Sequence, residues 1–296
     1  MKRFACALLC LLAWPVLAQN AVGSLPPAQL SAAEESEVDA MVLPVPGAWI
    51  GDLEGMRASR TVRILVPFSK TFYQVDRGRQ EGVVYEYGKA FEKWLNQHHP
   101  LGQKSQRWQV MFIPTARHEL LPRLLSGHGD IAAGGLTQTE VRLQTVDFSD
   151  PAYGDVHEVF VSGPGAPKLE RIEDLAGQEI YARPSSSYFE HLLELNRRFR
   201  EQGLEPLKVM PANENLETED LLQMVNAGLF GITVADRYIA QLWQPLYSDL
   251  KIYQGFYLHT GGKLGWALRK NSPQLLQALN AFNQKHKVGS EFGNIT

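Results

Sequence analysis

The sequence contains almost no cysteine, and both of its cysteines lie near the amino terminus. No thiol follows Cys6 and Cys10 in the rest of the chain. If this segment is removed on export, the mature chain can form neither a disulfide nor a thiolate metal site. A lipoprotein anchor is also disfavoured, because Leu9 is not the small residue expected before an acylated Cys10, and Cys6 lies too early.

Motifs for bond chemistry are missing as well. The chain has no Gly-x-Ser-x-Gly elbow, no Walker loop and no Gly-x-Gly-x-x-Gly turn, so nucleophile and nucleotide sites have no support. The eight histidines show no metal-ligand spacing, and no pair of carboxylates is placed by sequence as an acid and a base. We therefore predict no catalytic residue, no metal and no cofactor.

An excess of basic residues is absent too. The formal net charge is −3, which argues against a nucleic-acid partner and against binding to an anionic membrane surface. The 296 residues are 44% hydrophobic, enough apolar material for a real core, and the length suits two lobes or one domain with a tail.

The amino terminus has the pattern of a secretory signal peptide. Lys2 and Arg3 form a positive region, residues 4–14 are apolar, and Ala18 ends a cleavage-site pattern. A bilayer span needs about 20 apolar residues, so a retained membrane anchor is the weaker alternative. We predict that residues 1–18 are removed and that the protein is periplasmic.

Residues 19–60 resemble a leader in composition. They carry little apolar periodicity, and Pro44, Pro46 and Gly47 interrupt their last part. We predict that this segment is largely irregular.

Two α/β units follow in tandem. Short apolar runs predict strands at 62–66, 108–113, 130–134, 179–182, 208–211 and 230–235. Helical spacing predicts helices over 84–95, 120–125, 187–200 and 220–227, and Pro273 opens a last helix after a last strand. This alternation predicts parallel sheets with a ligand cleft between the two units.

One composite motif points to a family. Residues 134–153 read Gly-Gly-Leu-Thr-Gln-Thr-Glu-Val-Arg-Leu-Gln-Thr-Val-Asp-Phe-Ser-Asp-Pro-Ala-Tyr. This text resembles the signature of the family 3 extracellular solute-binding proteins, the polar amino-acid receptors of ABC import. Arg142 stands five residues before Asp147, as in that family, whereas Glu140 replaces a proline and Ala152 displaces an aromatic residue by one.

The resemblance covers nearly all of the chain from Val62 on. Within it, the chain is similar above all to the binding-protein-like region of the membrane-bound lytic transglycosylase F family. Shared text includes Trp49-Ile-Gly-Asp-Leu-Glu-Gly and Arg183-Pro-Ser-Ser-Ser-Tyr-Phe-Glu. In that family a transglycosylase domain follows, with a Glu-Ser context and a Gly-Leu-Met-Gln-like motif. Neither motif is present here, so the resemblance implies a protein that is not an enzyme.

The resemblance also implies the fold. We expect the α/β type II periplasmic-binding-protein fold, with two α/β lobes joined by a two-crossing hinge near Val159 and Tyr257. Lobe 1 would comprise residues 61–158 and 258–296, and lobe 2 residues 159–257. A ligand that contacts both lobes would favour the closed state.

Ligand-binding candidates in the first unit start with Arg142. A guanidinium offers a carboxylate a charge-assisted, bidentate partner, and the alternative is a solvated surface arginine. Gly135, Leu136 and Thr137 follow a predicted strand end, where a loop can offer N–H groups and a hydroxyl to the same carboxylate. The alternative is an ordinary turn.

Candidates in the second unit lie at two helix starts. Arg183, Ser185 and Ser186 precede a helix N-terminus, which attracts anions, whereas a role as helix cap already explains Ser187. By the resemblance, Asp236 receives the α-amino group of the ligand, because a buried ammonium needs an anion. The alternative for Asp236 is capping of the next helix.

Three more candidates follow from positions in the family. Phe72 and Tyr73 lie where an aromatic residue often covers the ligand side chain, although packing within their own lobe is an equal alternative. Arg117 stands where amino-acid receptors often have an aromatic residue, which points to a pocket for an acidic or polar group.

Two functions of different class remain open. The first is a receptor for a small-molecule ligand, amino-acid or muropeptide-like, whose closure an ABC permease or a cell-wall enzyme would sense. The second is the non-catalytic regulatory part of a truncated lytic transglycosylase acting at peptidoglycan. A third alternative is a relative without ligand that serves as an interaction surface. We expect a monomer.

Overall fold

The computed structural model describes residues 47–103, 105–151 and 153–285, and one ten-stranded sheet dominates this part of the chain. The predicted signal peptide and most of the predicted leader lie outside the described residues. The strands of the sheet are β1 (Thr61–Val66), β4 (Gln109–Pro114), β5 (Ile131–Thr137), β6 (Val146–Phe148), β7 (Tyr153–Ser162), β8 (Glu179–Ala182), β9 (Lys208–Pro211), β10 (Ile232–Asp236), β11 (Lys251–Ile252) and β12 (His259–Arg269). A separate hairpin pairs β2 (Gln74–Asp76) with β3 (Arg79–Glu81).

Eight α-helices accompany these strands within the described ranges. They are α1 (Leu53–Met56), α2 (Val83–His98), α3 (Leu120–Leu125), α4 (Glu140–Leu143), α5 (Ser187–Glu201), α6 (Thr218–Asn226), α7 (Arg237–Trp243) and α8 (Pro273–Lys285). None of these helices combines the length and the apolar character that crossing a bilayer requires.

Two groups of three parallel strands form the ends of the sheet. In the first group β1 lies between β4 and β5, and in the second β8 lies between β9 and β10. The long antiparallel strands β12 and β7 join the groups, because β5 pairs with β12, β12 with β7, and β7 with β10. We call the part built on β1, β4 and β5 the first half, and the part built on β8, β9 and β10 the second half.

The predicted parallel α/β units are confirmed, with β8 and β9 at the predicted bounds. The sequence did not locate β7. Gly154 and Asp155 interrupt the apolar pattern of β7, as Gly261 and Gly262 do in β12. These strands are fixed by their antiparallel neighbours rather than by local periodicity.

Apolar side chains on the faces of the sheet form the core. In the first half, Phe91 and Trp94 of α2 pack against Phe282 of α8. In the second half, Leu192 and Phe199 of α5 are buried in a cluster with strand residues. Each fully buried side chain of this size contributes about 1.5–3 kcal/mol, so the helices hold the strand ends in place.

The described part of the predicted leader, residues 47–60, contains one helical turn. This turn is α1, and its Leu53 is buried. The Asp52 carboxylate explains the turn, because Oδ1 accepts the Leu53 N–H at 2.7 Å. The same carboxylate accepts the N–H groups of Gln274 and Leu275 at 2.7 and 2.9 Å. Asp52 therefore caps α1 and α8 together, which hydropathy periodicity cannot reveal.

A buried ion network ties this segment to the sheet. Arg63 Nε and Nη2 donate to the Asp130 carboxylate at 3.0 and 2.8 Å. The guanidinium also donates to the carbonyls of Gly47 and Trp49 at 3.2 and 3.0 Å. Arg269 Nη2 donates to Asp130 at 3.2 Å. Asp130 is fully buried and is shared by two buried arginines, so removal of this carboxylate would leave two uncompensated charges inside the protein.

Candidate functional site

A cavity of about 240 Å³ is lined by both halves, at the carboxyl ends of the parallel strands. Ligands of open α/β sheets bind at this edge. Most of the predicted ligand contacts line the cavity: Phe72, Arg117, Gly135, Leu136, Thr137, Arg142, Arg183, Ser185 and Ser186. The two other predicted contacts, Tyr73 and Asp236, are not among the lining residues.

Two glycines let β5 approach the loop after β1. Gly134 and Gly135 have φ angles of +142° and +66°. A Cβ at these positions would lie 2.5 Å from Pro67 Cδ and 2.5 Å from the Phe72 ring, respectively. Larger residues would therefore strain the backbone and displace this part of the cavity wall.

The residues predicted as a loop after the third strand are part of that strand. Leu136 pairs with Gly265 and Thr137 with Leu264, because β5 continues beside the antiparallel β12. Sequence periodicity could not reveal this partner. The Thr137 hydroxyl lies in the wall, 3.3 Å from the Ser187 hydroxyl of the second half.

Arg142 lies in the cavity wall, and its side chain is 10% exposed. Its helix α4 is capped by Thr139, whose Oγ1 accepts the Arg142 N–H at 3.3 Å. The guanidinium bridges the halves, since Nη1 donates to the Thr137 carbonyl and Nη2 to the Ser185 carbonyl, both at 2.9 Å. Burial lowers the pKa of Arg142, and Glu190, 3.8 Å from Nε, partly offsets this. Among the described residues, no carboxylate reaches hydrogen-bond distance of this cation.

Arg117 and Arg183 also line the cavity, but they share a carboxylate of the protein. Arg117 Nε donates to both Glu217 oxygens at 2.9 Å, and Nη2 donates to Oε2 at 2.5 Å. Arg183 Nη1 lies 3.4 Å from Glu217 Oε1. Burial lowers the pKa of Arg117, but the Glu217 charge and hydrogen bond raise it by more. The guanidinium that the sequence suggested for an acidic ligand group is thus occupied by Glu217.

The serine run before α5 is offset by one residue from the prediction. Ser186 is the N-cap, and its Oγ accepts the Phe189 N–H at 3.1 Å. Ser187 Oγ instead donates to Glu158 Oε1 at 2.9 Å. The predicted capping role of Ser187 is therefore wrong. Three serines stand in a row, and the long-range contact of Ser187 with Glu158 leaves Ser186 as the cap.

The hydroxyls of Ser185 and Ser186 are engaged within the second half. Ser185 donates its N–H and Oγ to Glu214 at 2.9 and 2.6 Å. Ser186 Oγ donates to the Arg183 carbonyl at 2.7 Å. Both residues line the cavity, and Ser185 contributes its carbonyl to Arg142.

Asp236 ends β10 and is 2% exposed, outside the cavity lining. Tyr188 forms the wall at this point, and its hydroxyl accepts the Asp236 N–H at 3.0 Å. Burial raises the pKa of Asp236 to about 8, Glu158 adds to the rise, and hydrogen bonding by Tyr188 and Tyr238 offsets part of it. Asp236 holds the N-cap position of α7 without a side-chain cap bond, so side-chain capping does not explain it.

The two predicted aromatic contacts face different surroundings. The Phe72 ring lies 5.5 Å from the Arg117 guanidinium carbon, inside the cavity wall. Tyr73 stacks on Phe112 with 5.6 Å between ring centroids, and its hydroxyl donates to Gln80 at 3.0 Å. Tyr73 thus packs within the first half.

Sequence reasoning did not select four residues of this region: Glu158, Tyr188, Glu190 and Glu217. Glu158 lies opposite Asp236 in the β7–β10 register, and its Oε2 is 2.7 Å from His191 Nδ1. Tyr188 and Glu190 follow the serine run on the first turn of α5. For Tyr188 and Glu190, this position beside a helix start was the one local signal in the sequence.

The arrangement suits the binding of an anion. A buried guanidinium, a threonine hydroxyl and an aromatic ring face one cavity, and the remaining guanidinium groups are paired. Within the described ranges, no group of three or more His, Cys, Asp or Glu side chains could hold a metal ion.

Comparison with known proteins gives a family match and curated relatives. The family model of the bacterial extracellular solute-binding proteins, family 3, matches residues 63–296. The membrane-bound lytic murein transglycosylase F of Desulfosudis oleivorans is 27% identical over 240 residues, 81% of this chain and 48% of the relative. The protein of that name in Saccharophagus degradans is 28% identical over 240 residues, 80% of this chain and 44% of the relative. The chain therefore spans less than half the length of these relatives.

Solved structures share the architecture. An ancestral arginine-binding protein bound to arginine aligns with a TM-score of 0.63 at 24% identity, over 79% of this chain and 96% of that one. A likeness at this identity concerns the fold, and the predicted type II periplasmic-binding-protein fold is confirmed.

Proposed function

The chain belongs to the bacterial extracellular solute-binding proteins, family 3, and we propose that it captures an amino-acid-like or small peptide ligand between its halves without catalysing a reaction. The position of Arg142 carries this proposal, because its cation lies in the wall of a cavity lined by both halves. A ligand carboxylate bound there contacts a group already bonded to both halves. Such a ligand favours the closed arrangement through its higher affinity for that state.

We also propose where the protein acts. Residues 1–18 would be removed on export, and the mature protein would be a monomer in the periplasm. Residues 61–158 and 258–296 would act as one lobe and 159–257 as the other. An ABC permease or a cell-wall enzyme would then sense closure. The similar solved protein that binds arginine supports a ligand with a carboxylate group.

Replacement of Arg142 tests the proposal. The probes are L-amino acids, N-acetyl-L-amino acids, dipeptides and peptidoglycan-derived peptides, tested by thermal shift and calorimetry on ligand-free protein. At least one carboxylate should raise the Tm, because a ligand that binds the native state stabilises it. Arg142→Ala should weaken that binding about 10- to 100-fold, the equivalent of one charge-assisted hydrogen bond.

Arg197→Ala is the matched control, since Arg197 lies on the exposed face of α5 with Glu194 and Glu201. It should bind as the wild type does. Arg142→Lys keeps the charge without the fork and should bind with intermediate affinity. Unchanged affinity in folded Arg142→Ala protein would refute the proposal, and so would a lack of any Tm change in the wild type.

A second candidate function rests on the relatives. Both curated relatives are named lytic murein transglycosylases, and this chain spans less than half of each. The chain would then act as the non-catalytic regulatory part of a cell-wall enzyme. An in-frame transglycosylase sequence after Thr296 in the gene would favour this candidate, and a stop codon there would favour the free receptor.

A further inference from the structure

The lining of the cavity includes one carboxylate among the described residues, that of Glu190. Its side chain is 32% exposed, and it accepts no hydrogen bond within the described ranges. Glu190 lies on the first turn of α5 in the second half, whereas Arg142 lies on α4 in the first half. A charged oxygen without a donor at a cavity wall is open to a donor from a ligand, and charge-assisted hydrogen bonds are the strong ones.

The other carboxylates around the cavity lie outside its lining and are engaged by groups of the protein. Those of Glu158, Glu214, Glu217 and Glu219 accept hydrogen bonds from Ser187, Ser185, Arg117 and Ser69, respectively. One oxygen of Glu219 has no hydrogen-bond partner among the described residues, but this residue is 1% exposed. Of these groups, Glu190 is therefore the one that a ligand in the cavity reaches directly.

The carboxyl group that would receive an ammonium group by the family resemblance is enclosed. Asp236 is 2% exposed and does not line the cavity, and Tyr188 forms the wall at this point. Hydrogen bonding by Tyr188 and Tyr238 engages this carboxyl, and burial raises its pKa to about 8, which favours the neutral acid at pH 7. An enclosed neutral carboxyl is a weaker partner for an ammonium group than an accessible carboxylate.

The charges of Arg142 and Glu190 are spaced to match an α-amino acid. Arg142 Nε lies 3.8 Å from Glu190 Oε1, beyond hydrogen-bond distance. The guanidinium uses two N–H groups for the Thr137 and Ser185 carbonyls, which leaves its remaining N–H groups for a ligand. In an α-amino acid the nitrogen and a carboxylate oxygen are about 3 Å apart, since bonds of about 1.5 Å flank Cα. The two opposite charges of such a ligand therefore fit beside the two charges of the wall.

We propose that Glu190 receives the ammonium group of an α-amino acid whose carboxylate binds Arg142. The assignment rests on the proposed function and names the residue that recognises the amino group. The first half then holds the carboxylate of the ligand and the second half holds its ammonium group, so the ligand favours closure. Both bonds are strengthened because the closed cavity excludes competing water.

The position of Glu190 at the start of a helix offers another explanation for this residue. A carboxylate on the first turn of a helix is stabilised by the helix dipole whether or not a ligand binds. That role affects the stability of α5, but it does not distinguish an amino group from a hydroxyl group. The ratio of two ligand affinities therefore separates the two explanations.

Matched pairs of an L-amino acid and its L-2-hydroxy acid test the proposal by calorimetry on ligand-free protein. The pairs are alanine and lactate, leucine and leucate, phenylalanine and phenyllactate, glutamate and 2-hydroxyglutarate, and arginine and argininate. In each pair a hydroxyl group replaces the ammonium group. The wild type should bind the amino acid of at least one pair about tenfold or more tightly than the hydroxy acid.

Glu190→Gln should abolish this preference. Loss of the charge should weaken binding of the amino acid about 10- to 100-fold, whereas the hydroxy acid should bind as before or more tightly, because Glu190 no longer competes for Arg142. Glu190→Asp keeps the carboxylate and should retain part of the preference. Glu194→Gln is the matched control and should keep the full preference, because Glu194 pairs with Arg197 on the exposed side of the same helix.

The outcomes separate this assignment from the proposed function. If Glu190→Gln keeps the preference while Arg142→Ala loses binding, the assignment to Glu190 is wrong and the proposed function stands. Loss of the preference in Asp236→Asn, with Glu190→Gln unchanged, leads to the same conclusion and gives the ammonium group to Asp236. A wild type that binds both members of every pair equally, or that binds peptides but no free amino acid, overturns the assignment alone. Binding of amino acids that survives Arg142→Ala refutes both.

Discussion

At the scale of single residues, burial acts differently on the acids and the bases around the cavity. Burial raises the pKa of Asp236 to about 8, and no cation lies at hydrogen-bond distance of this carboxyl within the described ranges. Arg142 is buried too, and burial lowers its pKa, yet an arginine stays protonated because its unperturbed pKa is so high. Burial therefore leaves the positive charge of Arg142 in place, whereas it favours the neutral form of Asp236.

Asp236 should make the stability of the protein depend on pH. Below about pH 4 the carboxyl is protonated in the folded and unfolded states. Between pH 4 and 8 only the folded state keeps the proton, so the free energy of unfolding falls as pH rises, by about 1.4 kcal/mol per pH unit, and levels off above pH 8. Asp236→Asn should remove this slope in urea unfolding at pH 5, 6 and 7.

Asp249→Asn provides the control, because Asp249 is exposed and forms no ion pair within the described residues. Its pH dependence should match that of the wild type. An identical slope in Asp236→Asn and the wild type would show that Asp236 is ionised in the folded protein.

At the scale of helices and strands, local sequence signals located some elements and missed others. The bounds of β8 and β9 follow from short apolar runs that end at polar residues. The position of β12 does not, since its glycines interrupt any alternation. Three consecutive serines give one capping signal, and the contact between Ser187 and Glu158 decides which serine is the cap.

Ser186 should contribute a measurable part of the stability of α5. Ser186→Ala removes the acceptor for the Phe189 N–H and should lower the free energy of unfolding by about 1 kcal/mol, whereas Ser186→Gly should cost only a few tenths of that amount. Urea unfolding measures both. Equal losses in the two variants would mean that the hydroxyl acts through its bond to the Arg183 carbonyl and not as a cap.

At the scale of the whole molecule, polar contacts join the halves, in addition to a buried apolar cluster that contains residues of both. Glu217 joins Arg117 across the halves, Glu219 accepts the Ser69 hydroxyl at 2.7 Å, and Trp243 donates to Thr71 at 3.0 Å. The sequence predicted most of the cavity wall, because family position marked Arg142 and its neighbours. It could not predict the partner of Arg117, since the two residues are 100 positions apart.

Glu217 should hold the ligand-free halves together. Glu217→Ala leaves two buried guanidinium groups without their carboxylate and should cost about 3–5 kcal/mol of stability. The radius of gyration from small-angle scattering should increase. Glu214→Ala is the matched control, because in the part of the chain that the structure describes the Glu214 side chain bonds only Ser185, which lies in the same half, and the radius of this variant should not change. An unchanged radius of gyration in Glu217→Ala would mean that other contacts hold the ligand-free halves together.

The Asp52 carboxylate has a consequence for any shortened form of the protein. It joins the chain before β1 to the start of α8, while Arg63 anchors the carbonyls of Gly47 and Trp49. The region matched by the family begins at residue 63. An expression fragment trimmed to that point would lose the hydrogen bonds that Asp52, Gly47 and Trp49 make with the rest of the protein. The autonomous folding unit has to be cut upstream of Gly47, and a fusion partner or tag is best attached there.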